Sequence, residues 1–354
     1  MVSPVYAYAN ARSKALQSDL LTPARLESLA SMKDFDEIAH ELSLTIYKDD
    51  LANLSVRYSG ADLIEAAIHR NLVRALKTVI SLTPDDSKEV ITLILGRWDI
   101  RNINLIIASK ALGYSFGSQS DVFLYSSADY PLGPIAGALT YYDLKNLIDM
   151  KDLSDVVEWV GARLGADFEP YLEKYRTDGD FGSLLVQIEL TYLRRLVTSM
   201  SGRSGSDMRV LGALRAQIDE KNIIAILKAK QLNISGQDVA RFTVEGGNVS
   251  KQALSDLFRA NNVEELVENL KPFYDLTDAL NEYRKSGLVA IENLLSKKIT
   301  QRSIASLRVA PPSLSSIVAF VMLKELEVEN LTKIVRGKEN GVSDADIKAS
   351  LIFA

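Results

Sequence analysis

Cysteine is absent from the 354 residues, which removes disulfides and thiolate metal sites at once. Histidine is almost as scarce. His40 and His69 have no partner at metal-ligand spacing, so each reads as a core or surface residue rather than a ligand or general base. Phosphate-binding glycine motifs are missing too. Gly337-Lys338 lacks the upstream glycine and the following Ser or Thr of a P-loop, and Gly202, Gly205, Gly246 and Gly247 do not make G-x-G-x-x-G. No G-x-S-x-G turn occurs. No catalytic, cofactor-binding or metal-binding set can be assembled, so an enzyme is not expected.

Long apolar runs and basic excess are lacking as well. The most apolar stretch, Ile317 to Leu323, is far too short to span a bilayer. The opening MVSPVYAYANARSKAL does not have the basic-then-apolar build of a signal peptide. A net charge of −5 argues against non-specific nucleic-acid binding. These absences predict a cytosolic chain that meets a membrane only through a protein partner. With 47% hydrophobic and 25% charged residues the composition is globular. Glycine and proline are sparse and no period-2 alternation is sustained, so the expected fold class is all-α.

What is present is repetition. TPARLESLASMKDFDEIAHEL from Thr22 returns as TYYDLKNLIDMKDLSDVVEWV from Thr140 and as SKQALSDLFRANNVEELVENL from Ser250, without gaps, at offsets of 118 and a further 110. Leu26, Leu29, Ile38 and Leu42 fall on Leu144, Leu147, Val156 and Val160, and again on Leu254, Leu257, Leu266 and Leu270. That spacing keeps them on helical faces. Thr22, Thr140 and Ser250 stand as N-caps of a first short helix, and Asp34, Asp152 and Asn262 as N-caps of a second. Glu37 and Glu265 suit capping boxes, while Asp155 favours the positive helix end.

A second motif repeats in step. WDIRNINLIIASKALGYS from Trp98 matches IDEKNIIAILKAKQLNIS from Ile218 and LEVENLTKIVRGKENG from Leu326. Asp99, Asp219 and Glu327 align, as do Asn102, Asn222 and Asn330, and Lys110, Lys230 and Lys338. A whole unit is therefore repeated, with expected boundaries of 1–119, 120–237 and 238–354, near Gly117–Asp121 and Gly236–Asp238. Helices are further expected from Val5 to Leu21, from Gly60 to Pro84, from Phe181 to Met200 and from Leu276 to Leu295. Each acid–Asn pair lies three residues apart on one helix face. Such pairs either cross-link helices inside their own unit or line a shared surface for a partner, with Arg101 and Lys221 beside them, and metal binding, the third reading, is poorly served without histidine nearby. The three lysines read as helix-end cations. Tyr6, Tyr8, Tyr141 and Tyr142 suit either an interface or packing between units.

Four stretches carry a resemblance. Tyr6-Ala-Tyr8-Ala-Asn10-Ala-Arg12, Trp98-Asp99-Ile100-Arg101-Asn102-Ile103, Asp219-Glu220-Lys221-Asn222-Ile223 and Glu327-Val328-Glu329-Asn330-Leu331 resemble, in order, the motifs of the C subunit of archaeal-type (A/V-type) rotary ATP synthases, the counterpart of the d subunit of vacuolar ATPases. Where that family continues Val-Arg-Ala after the first motif, this chain has Ser13-Lys14-Ala15. The resemblance implies three helical domains forming a funnel about a pseudo-threefold axis. It further implies a non-catalytic rotor protein on the cytoplasmic side of the membrane, with no cofactor. The wide mouth would take the D and F subunits of the central stalk, the narrow end would sit on the proteolipid c-ring, and the I/a subunit would lie within reach. Partner contacts are then expected at Asp99, Arg101, Asn102, Asp219, Lys221, Asn222, Glu327 and Asn330. The alternative is a helical-repeat interaction scaffold outside a rotary motor, whose units stack in an open line.

Overall fold

The structure, a computed structural model, describes residues 4–114, 137–200, 202, 205, 207–232, 234, 243–310 and 312–354. Its regular elements are all helical, with no strand among the described residues. Local caps set the starts of the repeated two-helix motif. Thr22, Thr140 and Ser250 accept from the backbone N–H of Arg25, Asp143 and Ala253 at 3.3, 3.2 and 3.2 Å. They open α2 (Pro23–Ala30), α7 (Tyr141–Asp149) and α12 (Lys251–Arg259). Asp34 and Asn262 likewise cap α3 (Phe35–Ser43) and α13 (Val263–Leu270). Glu37 and Glu265 reach back to the N–H of Lys33 and Asn261, both at 2.8 Å. Asp152 makes no such bond at the start of α8 (Leu153–Leu164); the capping box of this copy lies one helix earlier, between Thr140 and Asp143.

Longer helices complete the repeats. They include α1 (Pro4–Ser18), α5 (Gly60–Leu82), α6 (Asp85–Ala111), α10 (Phe181–Met200), α11 (Asp207–Gln231), α15 (Leu288–Arg308) and α16 (Leu314–Glu339). Short helices α4 (Lys48–Leu54), α9 (Glu169–Asp178), α14 (Leu280–Ser286) and α17 (Asp344–Ser350) fill the turns. The continuous helix expected from Leu276 to Leu295 does not form. A 3-10 turn at Thr277–Ala279 leads into α14, and Gly287, at a φ of 70°, breaks the chain before α15. That left-handed conformation suits a residue without Cβ and stops the first helix.

Two compact units contain these elements: Met1–Leu185 with Pro311–Phe353, and Val186–Ala310. In the first, α16 packs on α5, α1 and α2, α17 packs on α2 and α16, and α6 packs on α7, α8 and α5. In the second, α11 packs on α15, α12 and α13. Its core gathers Ile223, Ile226, Leu227, Leu257, Leu266 and Leu270 with Ile291 and Leu295. The periodic apolar positions Leu26, Leu29, Ile38 and Leu42 and their counterparts are buried throughout, as the stripes predict. The boundaries expected near 117–121 and 236–238 lie outside the described residues.

Candidate functional site

The acid of each long helix sits where it meets a two-helix motif further round the repeat. Asp99 Oδ2 on α6 accepts the N–H of Ala138 at 2.7 Å and of Leu139 at 3.2 Å, just ahead of Thr140. Asp219 Oδ1 on α11 accepts the N–H of Val249 at 2.9 Å, just ahead of Ser250. Glu327 Oε2 on α16 accepts the N–H of Leu21 at 2.5 Å, just ahead of Thr22. Thus the first long helix holds the second motif and the second holds the third. The third returns across 306 positions to hold the first.

Asparagine one turn on holds a second strip of backbone. Asn222 donates to Val244 O and accepts from Val244 N, each at 2.8 Å. Asn330 does the same with Ile352, at 2.7 and 3.0 Å. The two residues stand at matching repeat positions. The aligned lysines close the far end. Lys110 donates to Ile148 O at 2.8 Å and to Met150 O, and Lys338 to Met32 O at 2.6 Å. Met32 and Met150 occupy the same place in the motif. Lys230 lies over the Phe258 ring, 4.7 Å from its centroid. The lysines are therefore bound to the neighbouring motif rather than merely offsetting their own helix dipoles.

Charge around the three acids differs. Glu327 accepts from Tyr47 Oη and from Lys324 Nζ, both at 2.6 Å, and Lys324 Nζ lies 2.9 Å from Tyr47 Oη. Burial pushes the Lys324 ammonium pKa down and that of the Tyr47 hydroxyl up. Asp219 accepts from Tyr274 Oη at 2.9 Å and Asn248 Nδ2 at 3.0 Å. Burial, with Asp219 beside it, also raises the Tyr274 hydroxyl. The Asp99 carboxyl is pushed up to about 6 by burial, against the pull of the two N–H donors and Arg163.

Glycine supplies the room for these contacts. A Cβ at Gly137 would stand 2.1 Å from Asp99 Oδ2, and one at Gly247 would stand 2.1 Å from Asp219 Oδ1. The matching position of the first motif is Asp19, which is exposed, and there the acid is the longer Glu327. One added methylene lets that carboxylate reach from further back. Of the eight residues expected at a partner surface, Asp99, Asn102, Asp219, Asn222, Glu327 and Asn330 are buried. Arg101 and Lys221 are exposed. Arg101 lies over Trp98 of its own helix, 5.5 Å from the ring centroid, and Lys221 pairs with Glu189 at 2.8 Å. Tyr8 and Tyr142 are exposed, whereas Tyr6 reaches Ser87 Oγ at 2.5 Å. Sequence reasoning missed Tyr47, Tyr274, Lys324 and the two glycines. Tyr47 and Tyr274 recur almost at the motif offset, and that recurrence is the signal that could have found them.

Among the described residues no group of three or more His, Asp or Glu is placed to hold a metal, and no helix is long and apolar enough to cross a membrane. Comparison with known proteins decides the family. The model of the ATP synthase (C/AC39) subunit family matches residues 9–350. The chain belongs to the ATP synthase (C/AC39) subunit family. Among its relatives, the C subunit of the A-type ATP synthase of Thermoplasma volcanium is 31% identical over 349 residues, covering 97% of this chain and 96% of that protein. The same-named protein of Thermoplasma acidophilum is 28% identical, covering 98% of each chain. That of Methanocaldococcus jannaschii is 24% identical, covering 98% of this chain and 86% of the relative. In this member of the C/AC39 family, the repeated acids act as acceptors for the backbone just ahead of the two-helix motifs.

Proposed function

We propose that the chain is the non-catalytic C subunit of an A-type ATP synthase rotor, joining the central stalk to the membrane c-ring. The near-full-length likeness to proteins of that name supports the assignment. The observation that carries the mechanical reading is the return contact from Glu327 to Leu21. In an open stack the terminal repeats meet only one neighbour. Here the last long helix holds the first motif, which favours three domains closed about a pseudo-threefold axis as a funnel. Its mouth grips the D and F subunits, its narrow end rests on the c-ring within reach of the I/a subunit, and it sits on the cytoplasmic face as a peripheral protein.

In this reading the buried acids and asparagines keep the socket stiff, and the exposed Arg101 and Lys221 make the direct contacts. Tight packing suits torque transmission, since close-packed interiors pass strain on with little give. The test is co-purification of the full chain with the D and F subunits of its own organism at low and high salt. A defined complex that weakens with salt is expected. Failure of a folded chain to bind at either salt would leave the interaction scaffold as the better account.

A further inference from the structure

A cavity of about 580 Å³ opens in the second unit at Ala216, the sequence counterpart of the first unit's buried Lys324. Its lining includes Ala216, Asp219, Asn248, Tyr274, Ile299 and Arg302. The repeat makes the comparison direct. One turn before Glu327 stands Lys324, and one turn before Asp219 stands Ala216. Three residues after Tyr47 stands Asp50, and three after Tyr274 stands Thr277. Asn71 and Arg74 of α5 match Ile299 and Arg302 of α15.

In the first unit this network is complete. Lys324 bonds Glu327 and Tyr47, and Asp50 takes Arg74 at 2.8 Å and Asn71 at 3.1 Å. Lys324 and Asp50 are close enough to act on each other electrostatically. In the second unit the carboxylate, the tyrosine and the arginine remain, while the ammonium and the second carboxylate are gone. Asn248, an exposed residue, places its amide on Asp219 in the lysine's stead. Arg302 is exposed, acts on the Tyr274 hydroxyl and has no carboxylate partner among the described residues. Arg209, also in the lining, donates to Ser306 O at 3.0 Å.

We propose that this cavity binds a zwitterion, an ammonium that displaces the exposed Asn248 amide from Asp219 and Tyr274, beside the counterpart of Lys324, and a carboxylate directed at Arg302. A lone cation would meet Arg209 and Arg302 at the rim, and a lone anion would meet Asp219 at the floor. Only a ligand carrying both signs satisfies both ends. The volume has ample room for an amino-acid-sized molecule, or for the side chains of a lysine and an acid one helical turn apart on a partner segment. Only the second source rests on the rotor reading.

Thermal denaturation of the full chain with 6-aminohexanoate, n-butylammonium and butyrate tests the site. A midpoint that rises with the logarithm of 6-aminohexanoate concentration, with at least tenfold higher concentrations of either single-charge compound needed for the same rise, is expected. The Ala216→Lys chain, carrying the ammonium itself, should no longer respond. Should that variant fail to fold, the exposed Arg302→Ala replaces it and should lower the response at least tenfold. No response in the natural chain, or an undiminished one in the variant, would overturn the proposal. A positive response is then read against the complex with the D and F subunits. Competition assigns the site to a partner's lysine–acid pair, and its absence assigns it to a free amino acid. Since the thermal arm needs no partner, loss of D and F binding alone would count against the rotor reading and leave this site standing.

Discussion

At the residue scale, Asp99 and the glycines are the most open to test. The Asp99 carboxyl titrates near 6 in the folded chain, above the ordinary value of 3.8, because burial penalises its charge. A raised folded pKa gives stability that is present below pH about 4 and lost as pH rises through about 6. Natural and Asp99→Asn chains should therefore differ in their urea midpoints by an amount that changes across pH 4 to 6 and levels off above it. The full change is roughly 3 kcal/mol for two pKa units. Arg163 and Asp143 face the same carboxyl with opposing effects, so a parallel pH profile in both chains would show that Asp99 is not the group responsible. The glycine prediction is steric. Gly247→Ala must push Asp219 off the Val249 N–H, at about 1–3 kcal/mol as for other overpacked sites. Asp19→Ala, at the matching position, should stay within about 0.5 kcal/mol because Asp19 is exposed and Glu327 reaches from further back. Equal effects in denaturant titrations of the two variants would remove the proposed link between acid length and glycine.

At the scale of elements, the long helices act as clamps, and α16 is the one whose clamp contains a buried ion pair. Lys324 and Glu327 are almost fully enclosed, so removing one partner leaves a charge without compensation. Lys324→Met should cost about 3–5 kcal/mol, and Lys324→Met/Glu327→Gln should recover part of that loss. Calorimetry of both variants checks this, and an additive double variant would deny the coupling. The elements also show what a sequence makes legible. The caps at Thr22, Thr140 and Ser250 are local, set by three consecutive peptide units, and are readable without the fold. The break at Gly287 is not, because a helix-forming pattern runs through Leu276–Leu295 and only the chain's path demands a left-handed residue there. The repeated acids announce themselves by recurrence. Their role does not, since Glu327 finds its partner at Leu21, 306 positions away. Asp152 shows the opposite failure, a good cap residue whose side chain makes no cap bond.

At the scale of the whole molecule, the two ends of the chain depend on each other. The first motif and α5 are covered by α16 and α17, which come last in the sequence. Asn10, buried in α1, meets the backbone of Ser313 at the start of α16, and Lys338 closes on Met32. A chain ending at Ala310 would expose the apolar faces of α1, α2 and α5 and leave the Leu21 N–H without its carboxylate. Hydrogen exchange on that truncated chain should show protection lost over α1–α5, though the deletion begins some 230 positions beyond α5. Protection within α11–α15 should persist, because those helices form a core of their own from Ile223 to Leu295. Ordinary tandem repeats would respond in the reverse way, losing protection next to the cut and keeping it at the far end. The exchange pattern therefore separates a chain whose last helix closes on its first motif from an open array.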